Sequence, residues 1–449
     1  MITPNRKALS LILAIAASVL PLWAEGSAAI ARQLGVEEAV GLALDNNESL
    51  KQAAISLATK RRAMGLAWNK ALPSLTAAPG LEYGTNPSLT ALNGSTNSSS
   101  TALYGTGELS LSLSLPASFG DDLRLARLNY ESQFLSYKAT MRKLELSVRK
   151  SVYNILLDTE NLKLAEQNIE RESASYAQTE AKYKAGLASE LDLLTAKVSL
   201  ETQKPKADTY ATTLANDLDA LKSDLGLGTD EGIAIAGSLE ISDEALKKTV
   251  DAAMAKPETE NLSIAAATKT LDIAKLTDGS LYKSKLLPSL SLSASAEPAW
   301  PLAPTGGASS TVTTSATVAL NLSLDNFLPG SSAQQSIAEA KDTVAIDESA
   351  LKEAIKATKV SRKSDRRSVE SYQSTLAALK LNVDLTQRAY DAAKTAYDKG
   401  LETLTELQSA AGDLESAKLS ALSKSYDLIA AILELEYETG LPLDTIGRF

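Results

Sequence analysis

Two hydrophobic periods alternate along this chain, and they switch at matching points in its two halves. From Val36 to Leu72 apolar residues recur at helical spacing, and Pro73 ends the stretch. The period then falls to two, with Leu109, Leu111, Leu113 and Leu115 separated by Ser110, Ser112 and Ser114. In the second half Ser289, Ser291, Ser293 and Ser295 alternate with Leu290, Leu292, Ala294 and Ala296. Val318, Leu320, Leu322 and Leu324 then alternate with Thr317, Ala319, Asn321 and Ser323. This pattern predicts strands with one apolar and one small polar face. Turn-rich loops, Thr85 to Ala102 and Glu297 to Ser310, separate the strands of each pair. Four strands in two hairpins follow, at 74–116 and 288–325.

Beyond each hairpin the helical period returns and persists. Asp121 to Lys184 holds 64 residues without Gly or Pro, a rod of about 96 Å at 1.5 Å per residue. Phe134, Met141, Val148, Ile155, Leu162, Ile169, Tyr176 and Tyr183 are each seven apart. Leu193, Leu200, Ala207, Leu214 and Leu221 continue the heptad in a return helix, as do Leu407, Leu414, Ala421, Leu428 and Leu435. A seven-residue repeat supercoils left-handedly against neighbouring helices. Pro205 is expected to interrupt the first return helix and mark a bend; Leu419 stands at the matching place in the second.

The halves read as one unit written twice. Leu72-Pro73-Ser74-Leu75 recurs as Leu287-Pro288-Ser289-Leu290, and the turn at Tyr183 to Leu187 recurs at Tyr397 to Leu401, at offsets of 215 and 214 residues. The expected organisation is a first repeat at 34–230 with helices over 121–225, a linker at 231–242, and a second repeat at 243–449 with helices over 331–438. Residues 1–31 read as a secretory signal peptide: Arg6 and Lys7 precede the apolar run Ala8 to Leu22, and Ala29-Ile30-Ala31 offers a cleavage site, with Ala24 as an alternative.

Composition narrows the chemistry. The 449 residues include no His and no Cys, so a Ser-His-Asp triad, a cysteine nucleophile, a disulfide and an imidazole or thiolate metal site are all excluded. No enzymatic activity and no cofactor are expected. The net charge of −10 provides no basic field for nucleic acid. Strands with one Leu face and one Ser or Thr face suit a half-exposed soluble sheet or a membrane barrel with a polar lumen. Rods near 100 Å cannot pack over a small sheet, and four strands cannot close a barrel alone, so a membrane reading requires several chains. An exported coiled-coil scaffold or adhesin with a soluble sheet also accounts for the heptads and the signal. It leaves unexplained why both copies carry a strand pair after Leu-Pro-Ser-Leu.

The motifs carry a resemblance. Val36-Glu37-Glu38-Ala39 with Leu44, Asn46, Asn47 and Leu50, both Leu-Pro-Ser-Leu segments, and above all the paired turns from Tyr183 to Ala196 and from Tyr397 to Ala410 make the chain resemble the TolC-like outer-membrane efflux channel family over nearly its whole mature length. The resemblance implies an α+β membrane protein of the cell outer membrane. A homotrimer would close one 12-stranded barrel and continue it as a helical tunnel in the periplasm. It also implies substrate export with a periplasmic adaptor protein and an inner-membrane RND or ABC transporter, in an efflux pump or a type I secretion system.

By position in the turn motifs, the resemblance assigns Asp192 and Tyr397 to a latch that holds the tunnel tip closed. The basic partner expected in the second turn is replaced by Glu402, so closure is wired differently here. Glu406 falls where the family places a carboxylate at the lumen constriction, and Ser409 stands where a second acid is expected. One anionic ring favours cations less strongly than two. Gly186, Leu187, Ser189, Gly400, Leu401 and Thr403 form the tip that would dock the adaptor. Tyr83, Tyr104 and Trp300 are candidate aromatic anchors at the membrane interface.

Overall fold

The computed structural model describes residues 32–84, 102–228, 230–257, 260–302 and 310–443. The expected export signal and the loop at 85–101 lie outside them. The chain runs β1 (Arg32–Leu34), α1 (Val36–Asn46), α2 (Glu48–Leu66), β2 (Ser74–Gly84), β3 (Ala102–Leu115), α3 (Phe119–Lys184) and α4 (Glu190–Leu225). It continues with β4 (Ile233–Ile235), α5 (Asp243–Ala255), α6 (Leu262–Leu286), β5 (Ser289–Pro301), β6 (Thr311–Asn321), α7 (Ser332–Asp398) and α8 (Leu404–Thr439). Short 3-10 turns, Ala67–Ala71 and Leu324–Phe327, flank the outer strands.

The long helices are as expected, α3 with 66 residues and α7 with 67, each about 100 Å long. Each returns through a 36-residue helix. The heptad residues Leu407, Leu414, Leu428 and Leu435 are buried against neighbouring helices, as are Val148 and Ile155 on α3.

Four local expectations need correction, three here and Tyr104 with the sheet below. The stretch from Val36 to Leu72 is not one helix. Asn47 adopts an extended conformation, and its side-chain oxygen caps α2 by accepting from the Ser49 and Leu50 amides at 3.0 and 3.2 Å. Its amide nitrogen meanwhile donates to the Asp224 carbonyl at the end of α4, at 3.1 Å. Asn261 does the same for α6 and reaches the Glu438 carbonyl at 2.8 Å. An N-cap that also satisfies a C-terminal carbonyl outweighs the helical propensity of the flanking residues.

The 231–242 segment is not a free linker, because β4 within it pairs in parallel with β1. Pro205 does not interrupt α4, which runs through it. Position 205 is exposed, so the one carbonyl that loses its helical partner is left facing water.

All four long strands form one antiparallel sheet in the order β2-β3-β5-β6, since the two hairpins join through β3 and β5. The register aligns like with like: Ser74 faces Ser112, Ser112 faces Ser293, and Ser293 faces Thr317. Hydroxyls on this polar face bond across strands, Ser74 to Ser112 at 2.7 Å and Thr76 to Ser110 at 2.6 Å. By the same alternation Leu75, Leu111, Leu292 and Leu320 share the opposite face, and all are exposed. Tyr83 and Trp300 lie on that apolar face. Tyr104 falls on the polar face and is buried, so its expected role as a lipid-facing anchor is not supported. The charged residues of these strands, Glu82, Glu108 and Glu297, all lie on the polar face.

The core sits midway along the rods. Leu34 and Ile233 of the small sheet, Ala39, Val40 and Ala43 of α1, Val148 and Val152 of α3, and Leu221 and Leu225 of α4 form one cluster. Arg149 is buried beneath it and pairs in bidentate fashion with Glu37 at 2.7 and 3.0 Å, and with Glu145. Removing either of the carboxylates would leave a buried charge underpaired. Nearby, Asn154 of α3 donates to Asp158 at 3.1 Å and to Asp217 of α4 at 2.6 Å.

Burial, followed by the hydrogen bond and charge of Asp217, pushes the Asp158 carboxyl up to about 7. A raised carboxyl contributes stability that is complete below its unfolded value of 3.8 and is lost as pH rises through about 7. The thermal unfolding midpoint of the purified protein is therefore expected to fall by several degrees between about pH 5.5 and about pH 8.5. Asp158→Asn is expected to flatten that slope, as calorimetry across the range would show.

Candidate functional site at the helix tips

Each long helix ends in the same way, at the end of the molecule farthest from the large sheet. At the end of α3, Gly186 takes φ +74°, and the Leu187 amide donates back to the Lys182 carbonyl at 2.8 Å. At the end of α7, Gly400 takes φ +75°, and the Leu401 amide donates to the Ala396 carbonyl at 2.9 Å. Glycine adopts this left-handed cap without steric cost. Leu187 and Leu401, thrown outward by the turn, are among the most exposed apolar residues of the chain.

The return helices start with reciprocal capping boxes. The Asp192 amide donates to Ser189 Oγ at 3.1 Å, while Asp192 Oδ2 accepts from the Ser189 amide at 3.0 Å and its hydroxyl at 2.7 Å. Thr403 and Glu406 repeat this arrangement, with Glu406 Oε2 accepting from the Thr403 amide and hydroxyl, both at 2.9 Å. Two donors on one oxygen favour the ionised form. The Ser189 hydroxyl and then its amide hold Asp192 below the usual carboxylate range, and the Thr403 amide and then its hydroxyl do so for Glu406. Both acids therefore stay charged in mildly acidic surroundings. Asp192 Oδ1 and Glu406 Oε1 accept no hydrogen bond among the described residues.

Within the protomer, Asp192 and Tyr397 are not joined. Tyr397 turns instead to α3: its ring lies 4.0 Å from Lys182 Nζ, and its hydroxyl is 3.5 Å from the Thr179 hydroxyl. Glu402 and Ser409 are exposed, and Glu402 makes no ion pair among the described residues. Sequence reasoning missed the stitching between the two helical hairpins. Gln178 Nε2 donates to Asp398 Oδ1 at 3.2 Å, and the Arg171 guanidinium lies 5.5 Å from the Tyr390 ring. The signal was present, since Arg171 and Gln178, like Tyr390 and Tyr397, are seven apart and so share a helix face. Among the described residues no group of acids could hold a metal ion.

The family model described as "Outer membrane efflux protein" matches residues 39–227 and 258–440. The chain belongs to the outer membrane efflux protein family. Its function is that of an outer-membrane efflux channel, and its place is the outer membrane. Solved structures share the fold. A membrane protein from Pseudomonas aeruginosa superposes with a TM-score of 0.74 at 18% identity, over 90% of each chain. The Campylobacter jejuni CmeC outer membrane channel gives 0.72 at 18%, over 90% of this chain and 85% of that one. The open-state MtrE outer membrane channel of Neisseria gonorrhoeae gives 0.71 at 16%, over 91% and 89%. No curated protein sequence matches significantly.

The capping boxes yield a direct test of this efflux protein's tip. Thr403→Ala removes the side-chain acceptor of the Glu406 amide, a loss of about 1 kcal/mol in a helix cap. Hydrogen exchange at that amide is expected to quicken roughly fivefold, while exchange at the Asp192 amide in the other turn stays unchanged.

Proposed function

We propose that three copies of this chain close a single 12-stranded barrel in the outer membrane and continue it as a tunnel of helices through the periplasm. The observation that carries this reading is the large sheet, with two unpaired outer strands, an exposed apolar face and a polar face lacking cations. A hydrocarbon layer tolerates no open strand edge, and four strands are fewer than the smallest membrane barrels use. Pairing β6 of one copy with β2 of the next satisfies both edges. The apolar face then meets lipid, and Glu82, Glu108 and Glu297 face the lumen. As a soluble sheet, the same surface would leave a broad apolar face in water. No helix among the described residues is long and apolar enough to cross a membrane, so in this reading the strands alone cross it.

In the same reading the two halves descend from one duplicated unit, residues 1–31 direct export, and the tip turns dock a periplasmic adaptor linked to an inner-membrane pump. Leu187 and Leu401 supply the apolar contact, while Ser189 and Thr403 hold the turns in shape. Glu406 lines the constriction through its free oxygen, and Tyr397 belongs to the latch. Its ring against Lys182 and its hydroxyl act separately, the former worth about 0.5–1 kcal/mol at an exposed site.

Planar-bilayer recording of the purified protein tests the assignment, with steady cation-selective steps expected. Tyr397→Phe keeps the ring and removes the hydroxyl, so it should raise conductance less than Tyr397→Ala, which removes both. Equal conductance in all three proteins would remove Tyr397 from the latch. Glu406→Gln should reduce the cation preference in a bi-ionic potential measurement without abolishing it, because the strand carboxylates remain. An unchanged potential would take Glu406 out of the constriction.

A further inference from the structure

We infer that Asp158 and Asp217 form, in each copy, a carboxyl pair on the lumen wall midway along the tunnel, and that by holding or releasing one shared proton it sets how strongly the channel prefers cations over anions. This rests on the tunnel reading above. The face follows from packing. At mid-length the helices make one layer, since Asn47 joins the start of α2 to the end of α4, and Asn261 joins the start of α6 to the end of α8. Val148 and Val152 of α3 bury against α1 and the small sheet, and Arg149 holds Glu37 of α1. Those added elements stand outside the tunnel. Twelve helical columns about 9 Å apart close a ring only roughly 35 Å across, and three copies of the added elements inside it would block the passage. Lys150 and Asn154 lie two residues beyond Val148 and Val152, about 200° round the helix, and so face the lumen. With Asp217 of α4 and Tyr426 of α8 they line one crevice.

Asn154 brings the two acids together. Its one amide nitrogen donates to Asp158 at 3.1 Å and to Asp217 at 2.6 Å, so the two accepting oxygens lie within about 6 Å of one another. No cation answers them. The lysines nearest in sequence on the three helices are engaged elsewhere, Lys163 with Glu160, Lys222 with Asp219 and Lys424 with Asp427. Lys150, which shares the crevice, pairs with Glu434 of α8. Neither Asp158 nor Asp217 has an ion-pair partner among the described residues, and Asp158 is only 7% exposed. The Tyr426 phenol beside them is pushed up by burial and then by the charges of Asp427, Asp158 and Asp217, so it stays neutral.

Two carboxylates this close, one of them buried, cannot both ionise without cost. The pair carries one negative charge while it keeps the shared proton, and two after releasing it to lumen water at about pH 7. Three copies then double the wall charge at that level. The tip takes no part in this step, because the capping hydrogen bonds of Glu406 hold it below the usual carboxylate range and it is already charged. Fixed wall charge acts on every ion in a narrow bore, so the preference for cations rises as the proton leaves.

Reversal potentials in a potassium chloride gradient across a planar bilayer test this, recorded at about pH 6, about pH 7 and about pH 8. The potassium-over-chloride permeability ratio of the wild-type channel is expected to rise roughly twofold across that range. Asp158→Asn leaves Asp217 alone and charged, so its ratio should stay at the acid value throughout. Asp217→Asn relieves Asp158 of a like charge, so the step should move to lower pH; this variant decides the matter if Asp158→Asn does not fold. Glu406→Gln should lower the ratio at every pH and keep the step. A step absent from the wild type, retained by Asp158→Asn or unmoved in Asp217→Asn would overturn the pair as its source, while steady conductance kept the tunnel. Absence of any steady conductance from folded wild-type protein would remove the tunnel itself, and the pair with it.

Discussion

Every backbone donor and acceptor that enters hydrocarbon must be paired, and a four-stranded antiparallel sheet leaves two rows unpaired. In the assembly proposed above, that constraint organises this molecule. The sheet cannot fold back on itself with four strands, and among the described residues no other strand pairs with its outer strands. The register places serine and threonine on one face and leucine, valine and alanine on the other, so the sheet also lacks a soluble partner for its apolar side. An assembly that pairs the edges and an apolar medium that covers the face remove both deficits together.

The helices answer a different requirement. A rod near 100 Å exposes too much surface to be stabilised along its whole length by one neighbour, and its stability is concentrated midway. There α1, β1, β4 and α5 wrap the long helices, buried Arg149 ties α1 to the middle of α3, and the Asn47 and Asn261 caps fasten the short helices to helix ends. Toward the sheet and toward the tip, contacts thin out and apolar heptad residues such as Phe134 and Tyr183 are exposed. In the assembly proposed here, neighbouring copies supply the missing half of those seams.

Much of this was legible in the sequence because it is periodic. The alternation from Leu109 to Leu115 and from Ser289 to Ala296 gave the strands and their faces, and the heptads gave both long hairpins and their turns. The errors arose where one side chain overrules a pattern. Asn47 breaks a helical run by capping the next helix and bonding a carbonyl 177 residues away, which no local window contains. Pro205 has the opposite outcome, since exposure makes its missing hydrogen bond inexpensive. Tyr104 was misplaced through proximity to a strand end, when its parity with Ser110 and Ser112 already put it on the polar face. At the tip, the Gly and Ser or Thr positions of the caps were readable, whereas the stitching of α3 to α7 depends on how two coiled coils meet in space.

That stitching explains how a tip can move without unfolding the rod behind it. The polar ties between the hairpins toward the tip are one amide-to-carboxylate bond, one long hydroxyl contact, two cation-aromatic pairs and, farther from the turns, the Lys206–Glu415 ion pair at 3.0 Å, each worth about 1 kcal/mol or less where water reaches it. The turns themselves are built differently, with a left-handed glycine, a backbone bond closing the helix and a reciprocal capping box in each. The hairpin ends are therefore stiff within themselves and weakly held to one another. A partner that offers each turn a modest contact can separate the hairpins as rigid bodies and leave every cap intact. The acids of those caps each keep one oxygen clear of the capping box, so the same residues that shape the turn also carry its charge.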